Sequence, residues 1–230
     1  MRFDDKVVMI TGAAGNLGQA VAAAFGAAGA TLVLLDLDAQ RLQAAQPGAL
    51  CRATDLLDAA SVERAVDAAV TRFGRIDVLC NLAGGFRMGP PVHETSDELW
   101  GSMMDLNARS VVQMARAVVP RMLRAGTGRI VNVAAMAGLG GKAGMAAYCA
   151  SKSATMRLTE SMDSELREQG INVNCVMPSI IDTPQNRAAM PNTDPSRWVE
   201  PAALAAVILF LASEQARAIH GAAIPVVGLS

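Results

Sequence analysis

Aromatic side chains make up only 3% of this 230-residue chain, which holds one tyrosine, two tryptophans and two histidines. A lone tyrosine is therefore conspicuous wherever it falls. The histidines, His93 and His220, and the four cysteines, Cys51, Cys80, Cys149 and Cys175, show neither C-x-x-C nor H-x-x-x-H spacing. That argues against a structural zinc or a redox dithiol; reduced, mostly buried thiols and no metal site are expected. Neither sign of charge dominates, with 20 Lys plus Arg against 21 Asp plus Glu. Without a basic block, nucleic acid is not an expected partner. The longest apolar run, residues 202–212, falls short of the roughly 20 residues a bilayer span needs, so no membrane segment is expected. The opening MRFDDKVVMITG lacks the basic, apolar and small-residue order of a secretory leader, and a cytoplasmic location is expected.

What the chain has in quantity is apolar side chain, 52% of its residues against 18% charged. That composition suits one buried core, and the length suits a single domain over residues 1–230. Short β-branched or leucine-rich runs alternate with longer alanine-rich segments of helical spacing, the pattern of a parallel sheet covered by helices. Strands are expected at Lys6–Ile10, Thr31–Asp36, Ala49–Ala53, Ile76–Cys80, Arg129–Ala134, Asn172–Val176 and Ala223–Val227. The unbroken apolar character of VVMI, TLVLL and RIVNV indicates strands buried on both faces. Helices are expected at Asn16–Ala28, Ser61–Phe73, Asp105–Leu123, Tyr148–Gln169 and Pro201–Ser213, several closed by a glycine such as Gly74 or Gly170. Residues 178–200, crowded with Pro178, Pro184, Pro191 and Pro195, read as an irregular substrate-binding loop.

Directly after the first strand comes Thr11-Gly12-Ala13-Ala14-Gly15-Asn16-Leu17-Gly18, followed by a helix. Glycines there let backbone approach a pyrophosphate, and the free N–H groups at the helix start supply the counter-charge. Asp36 ends the second strand, where a carboxylate can accept both hydroxyls of an adenosine ribose and would repel a 2′-phosphate. Leu37 rather than an arginine follows it, so NAD(H) is expected over NADP(H). A helix cap is the other role open to Asp36. Asp55, just past the third strand, is a candidate contact to the adenine edge or a turn residue.

The single tyrosine, Tyr148, is followed one helical turn later by Lys152, one of only three lysines. On a helix the two side chains share a face. A phenol is a poor base at neutral pH, and an adjacent ammonium favours its ionised form, making Tyr148 a usable proton donor or acceptor. A buried tyrosine beside a snorkelling lysine is the plainer alternative.

Together these residues resemble the short-chain dehydrogenase/reductase family over essentially the whole chain. The resemblance is carried by TGAAGNLG, Asp36, Asp55, Asn81-Leu82-Ala83-Gly84, Asn107, RIVNV, Tyr148-Cys149-Ala150-Ser151-Lys152 and the closing segment 221–228. It implies a doubly wound, Rossmann-type α/β domain with a seven-stranded parallel sheet, usually a homodimer or homotetramer. It also implies hydride transfer between nicotinamide and a carbonyl, alcohol or related small molecule. By position, Tyr148 would be the acid/base, Lys152 would hold the nicotinamide ribose and tune Tyr148, and Asn107 would hold the water of a proton relay. Gly12, Gly15, Asn16, Leu17 and Gly18 would form the cofactor turn. Asn81 and Gly84 would border the adenosine side, and Thr183 would bind the carboxamide. Leu56, Ala83 and Pro178 complete the implied cofactor contacts.

Two positions depart from the family. Asn16 stands where a glycine is usual, and asparagine is the side chain most tolerant of left-handed backbone. Ala135 stands where the family has the serine that hydrogen-bonds the substrate oxygen, and losing one such donor typically costs about 10²- to 10³-fold in rate. Three readings accommodate Ala135. In the first, charge from hydride addition is delocalised in a conjugated ring; the segment from Asp182 to Trp198 and Gly84-Gly85-Phe86 are similar to dihydropteridine reductases, which also lack the serine. In the second, the protein is a serine-free carbonyl or 3-oxoacyl reductase. In the third, it is a low-turnover NAD(H)-binding regulator.

Alongside Ala135, Phe86, Met190 and Trp198 are candidate substrate-pocket residues, with ordinary packing as the alternative for each. Arg187 could meet an acidic substrate group or simply be a solvated surface residue. His93 and His220 are read as structural or exposed. Val111, Met114, Val118, Met156 and Met162 spread apolar surface over more than one helix face, consistent with a second subunit by analogy.

Overall fold

The computed structural model describes residues 1–38, 40–42 and 48–230. Its strands are β1 (Val7–Thr11), β2 (Thr31–Asp36), β3 (Leu50–Ala53), β4 (Val78–Asn81), β5 (Gly128–Val133), β6 (Ile171–Pro178) and β7 (Ala223–Val226). All pair in parallel, in the order β3-β2-β1-β4-β5-β6-β7. This is the Rossmann-type, doubly wound α/β sheet. The helices described are α1 (Asn16–Ala27), α2 (Ala59–Phe73), α3 (Asp97–Met104), α4 (Ser110–Ala125), α5 (Ala146–Leu166), α6 (Pro184–Ala189) and α7 (Pro201–Ala212).

The pleat sorts β1 between two cores. Val8 and Ile10 pack with Val21 and Phe25 of α1 and Leu204 and Ile208 of α7, whereas Val7 and Met9 face Val62 and Val66 of α2 and Met114 and Val118 of α4. Both faces of the strand are dry, which explains the unbroken VVMI run. Asp77, just before β4, is a charged residue beside this dry strand. It is buried, accepts from the Val7 amide at 2.9 Å and pairs with the Arg75 guanidinium, so its charge is doubly satisfied.

Strand order reverses between β1 and β4, so the chain leaves these neighbours towards opposite faces. A crevice necessarily opens at their carboxyl ends. The α1 turn enters that crevice at very close packing: a Cβ on Gly18 would lie 2.2 Å from the Gly12 carbonyl oxygen and 2.6 Å from the Ala13 Cα.

The expected strands all form, Thr31–Asp36 with the same ends and the others with ends shifted by at most two residues. Two helical regions differ more. The helix expected from Asp105 begins earlier, as α3 capped by the Ser96 side chain, and passes through a wide π-type turn at Asp105–Arg109 before α4. Within residues 178–200, read as irregular, α6 forms because Pro184 occupies the first turn, where its missing N–H costs nothing, and Thr183 caps the Asn186 amide. The neck of this segment is pinned by Asp182 N to Val199 O at 2.8 Å and Val199 N to Ile180 O at 2.9 Å.

Gly18→Ala is expected to lower stability by about 1–3 kcal/mol, because backbone rather than a flexible side chain must move. Urea unfolding would measure this, and an unchanged midpoint would show that the turn opens freely.

Candidate active site

A cleft of about 1190 Å³ occupies the crevice at the carboxyl ends of the strands. At one end the glycine turn contributes Gly12, Gly15, Asn16, Leu17 and Gly18 to its wall. The N-terminus of α1 has no side-chain cap and no acidic residue in its first turn. The amides of Asn16, Leu17 and Gly18 have no hydrogen-bond partner among the described residues. Unpaired donors at a positive helix end suit an anion.

Asp36 lies on the same wall, its Oδ2 accepting from the Ala14 amide at 3.0 Å and its Oδ1 from the Leu37 amide at 2.8 Å. It is thus tied to the glycine turn rather than capping a helix. Asp55 and Leu56 line the cleft beside it; Asp55 Oδ1 accepts from the Leu57 amide at 2.9 Å, so the residue shapes the turn as well as facing the cavity. Asn16 is helical, and among the described residues only Asp5 has a positive φ outside glycine. No left-handed backbone is therefore required at 16. Instead its Nδ2 donates to Gln185 Oε1 of α6 at 2.8 Å, joining the glycine turn to the segment after β6.

At the other end, α5 presents Tyr148 and Lys152 to the cleft from one face. Lys152 is only 5% exposed, and its Nζ donates to the Val133 carbonyl at 2.9 Å. A Cβ on Gly84 would lie 3.1 Å from that Nζ and 2.8 Å from Asn107 Oδ1, so glycine is needed there for the ammonium to fit. Burial lowers Lys152 from 10.5 to about 8, while Cys175 acts the opposite way. Burial likewise pushes Tyr148 up to about 12, with Cys149 adding to the rise. The net direction is thus opposite to the lowering expected from Lys152, because burial of the phenol is the dominant cause.

Three further expectations are corrected. Asn107 does not line the cleft; it lies buried in the π-type turn, its Oδ1 accepting from Gly85 N and its Nδ2 donating to Gly85 O and Ser151 Oγ, each at 3.0 Å. It braces the wall behind Lys152. Asn81 is buried under the floor, its Nδ2 donating to Asn132 Oδ1 at 2.9 Å, because a side chain at the end of a doubly covered strand points into a helix layer. Trp198, 4% exposed, belongs to the pinned neck and not to the cleft; its ring is needed to fill the core there. Arg187 pairs with Asp182 at 2.6 Å on the exterior.

Ala83, Gly84, Phe86, Ala135, Pro178, Thr183 and Met190 do line the cleft. The Phe86 ring meets Tyr148 edge-on, centroids 4.9 Å apart. Ala135, Ala137 and Cys149 cluster with Met145 and Tyr148, so no hydroxyl stands beside the phenol at position 135. Sequence reasoning missed Arg41 near Asp36, Lys142 and Met145 before α5, and Ile180, Ile181 and Gln185 after β6. The scarcity of lysine was a usable signal for Lys142. Among the described residues no three His, Cys, Asp or Glu side chains gather to hold a metal, and no helix is long and apolar enough to cross a membrane.

A buried ammonium opposes folding while it is charged. Lys152→Met is therefore expected to raise stability by about 1–3 kcal/mol at pH 7 while abolishing whatever chemistry Lys152 supports. The unfolded lysine holds its proton up to 10.5 and the folded one only to about 8. The advantage of the variant should thus shrink as pH rises across that window. Thermal unfolding at several pH values would check both.

Comparison with known proteins accords with this geometry. The family pattern described as short chain dehydrogenase matches residues 6–194. A meso-2,3-butanediol dehydrogenase of Serratia marcescens is 39% identical over 246 residues, covering 99% of this chain and 95% of its own. A D-threitol dehydrogenase of Mycolicibacterium smegmatis is 36% identical over 240 residues, covering 96% and 91%. Among solved structures, an NAD+-bound xylitol dehydrogenase superposes with a TM-score of 0.91 at 28% identity, covering 99% of this chain and 100% of that one. With matching fold, whole-length relatives and a tyrosine–lysine pair beside a glycine turn, the chain belongs to the short-chain dehydrogenase family of oxidoreductases.

Proposed function

We propose that this protein is an NAD(H)-dependent oxidoreductase acting between a small alcohol and its carbonyl, or on a conjugated ring, with Tyr148 and Lys152 and without a serine at 135. The observation that carries the reading is that these two groups share one cleft with the glycine turn and Asp36. The residues present fit a dinucleotide. Unpaired amides of Asn16, Leu17 and Gly18 suit its pyrophosphate, and the Asp36 carboxylate suits a ribose diol but not a ribose phosphate. Lys152 would hold the nicotinamide ribose and Thr183 the carboxamide. Bound nicotinamide supplies or accepts the hydride.

The rest of the chemistry falls to this chain. A phenol pushed to about 12 is fully protonated at neutral pH, so Tyr148 serves reduction as the acid. As the carbonyl carbon gains hydride, the π electrons move to oxygen and Tyr148 gives that oxygen its proton. The Lys152 ammonium, positioned by Val133 and backed by Asn107, favours the resulting phenolate. Ala135 contributes no second donor, so the developing alkoxide rests on Tyr148 alone. A half-exposed Phe86 ring next to Tyr148 favours, as a second reading, a flat conjugated acceptor such as a quinonoid dihydropterin. Placement of Tyr148 and Lys152 in the cleft counts against a low-turnover regulator. Self-association as a dimer or tetramer is proposed through the outer face of α4, where Leu123 stands exposed; Val111, Met114, Val118 and Met156, expected to share in such a face, are instead buried within the monomer.

Following NADH absorbance with simple ketones and with quinonoid dihydropterin separates the readings. Turnover is expected with NADH, and NADPH should bind about 10-fold or more weakly because of Asp36. Ala135→Ser should raise ketone kcat/KM by about 10- to 100-fold if the missing donor limits the rate, whereas no gain would remove that explanation. NADH binding with every substrate inert would defeat the enzymatic reading.

The pH dependence should differ by direction. Reduction needs the Lys152 charge and the Tyr148 proton, so its kcat should fall as pH rises through about 8, well before the phenol at about 12 ionises. Alcohol oxidation releases a proton and should gain over the same range. Initial rates in both directions between pH 6 and about 10 would check this, and parallel profiles would contradict it.

A further inference from the structure

We propose that the substrate is a carbonyl compound, or its alcohol, with a single polar handle on an otherwise apolar body, and not a polyol or vicinal diol. This deepens the functional reading above and rests on it. The reaction end of the cleft is walled by Phe86, Ala135, Ala137, Met145, Ile181 and Met190, none of which can hydrogen-bond a hydroxyl through its side chain.

The polar side chains that line the cleft nearby are engaged in part by the loops that carry them. Ser110 Oγ donates to the Leu106 carbonyl at 2.7 Å, and Ser179 Oγ donates to the Val227 carbonyl and meets Ser230 Oγ, both at 2.8 Å. Thr183 Oγ1 accepts from the Asn186 amide at 3.2 Å, and Asn186 Nδ2 donates to the Ile181 carbonyl at 2.7 Å. Gln185 Oε1 accepts from Asn16 of the glycine turn, which ties that side chain towards the other end of the cleft and leaves its Nε2 as a donor. Lys152 is held by Val133, and Lys142 is exposed at the rim, where water solvates it. Within the cluster that Tyr148 forms with Ala135, Ala137, Met145 and Cys149, its phenol is the one hydroxyl offered to a substrate oxygen.

One phenol can satisfy one oxygen. Each further substrate hydroxyl would exchange water for methyl and thioether surface, a loss of about 10- to 100-fold in apparent affinity. An apolar body, by contrast, is favoured by the same walls. The preference thus runs opposite to what the names of the D-threitol, xylitol and 2,3-butanediol dehydrogenases indicate for those proteins. It requires no change in the family's tyrosine and lysine.

The test uses the full chain with two readouts. In dead-end titrations of the NAD+ complex, cyclohexanone and 2-hexanone are expected to bind at least 10-fold more tightly than acetoin and erythrulose, with the gap widening per hydroxyl. With NADH, kcat/KM should follow the same order. Met190→Gln, which brings a donor and acceptor into the wall, should narrow the ratio of 2-hexanone to erythrulose. Equal or tighter binding of erythrulose or acetoin overturns the proposal whether or not turnover is seen. The expected binding order with no NADH consumed supports the pocket assignment and defeats the catalytic reading alone.

Discussion

The constraint on which this active site depends is the placement of one lysine ammonium in a nearly dry position. Leaving water costs a charge several kcal/mol, and the surroundings of Lys152 are arranged to make that tolerable. The Val133 carbonyl, at the end of a central strand, accepts its proton; Gly84 leaves room by having no Cβ; Asn107 is held alongside by Gly85 and Ser151. The π-type turn at Asp105–Arg109 sets Asn107 there, and α5 brings Lys152 and Tyr148 round together. Fold elements far apart in sequence thus converge on one cation. Its depressed proton affinity is the consequence, and the same burial that weakens the ammonium keeps the neighbouring phenol protonated.

Around this pair the cleft divides into two chemically different ends. One is polar and unsaturated: bare helix amides, a tethered carboxylate and a turn with no room for a Cβ at Gly12 or Gly18. The other is apolar around Tyr148, and several of its hydroxyls and amides also brace the loops that form it. Ala135 belongs to the second end, where it packs with Ala137, Met145 and Tyr148 in one cluster. The bond from Asn16 to Gln185 ties the two ends together across the mouth.

Much of the fold was legible because parallel strands covered on both faces leave unbroken apolar runs, and VVMI, TLVLL and RIVNV are such runs. The start of α3 was obscured because Asp97–Met104 is short and mixed in character, and a change of helical pitch at Asp105 leaves no mark in residue spacing. Helix α6 was hidden by prolines that break helices internally but begin them at the first turn, as Pro184 does. In the site, Tyr148 and Lys152 were legible through scarcity and spacing, and the glycine turn through its position after β1. Trp198 and Asn81 were misplaced because their identity suggests a lining role while only packing decides which way a side chain faces.

The sequence by itself determined the alternation of strand and helix, the glycine-rich turn and the presence of one phenol next to one amine, because these are local patterns of period, spacing and rarity. Tertiary structure alone decided the protonation tendencies of that pair, the retreat of Asn107 behind the wall and the apolar cluster around Tyr148. Those depend on burial and on hydrogen bonds between segments such as 16 and 185, or 107 and 151, whose meeting no local pattern encodes.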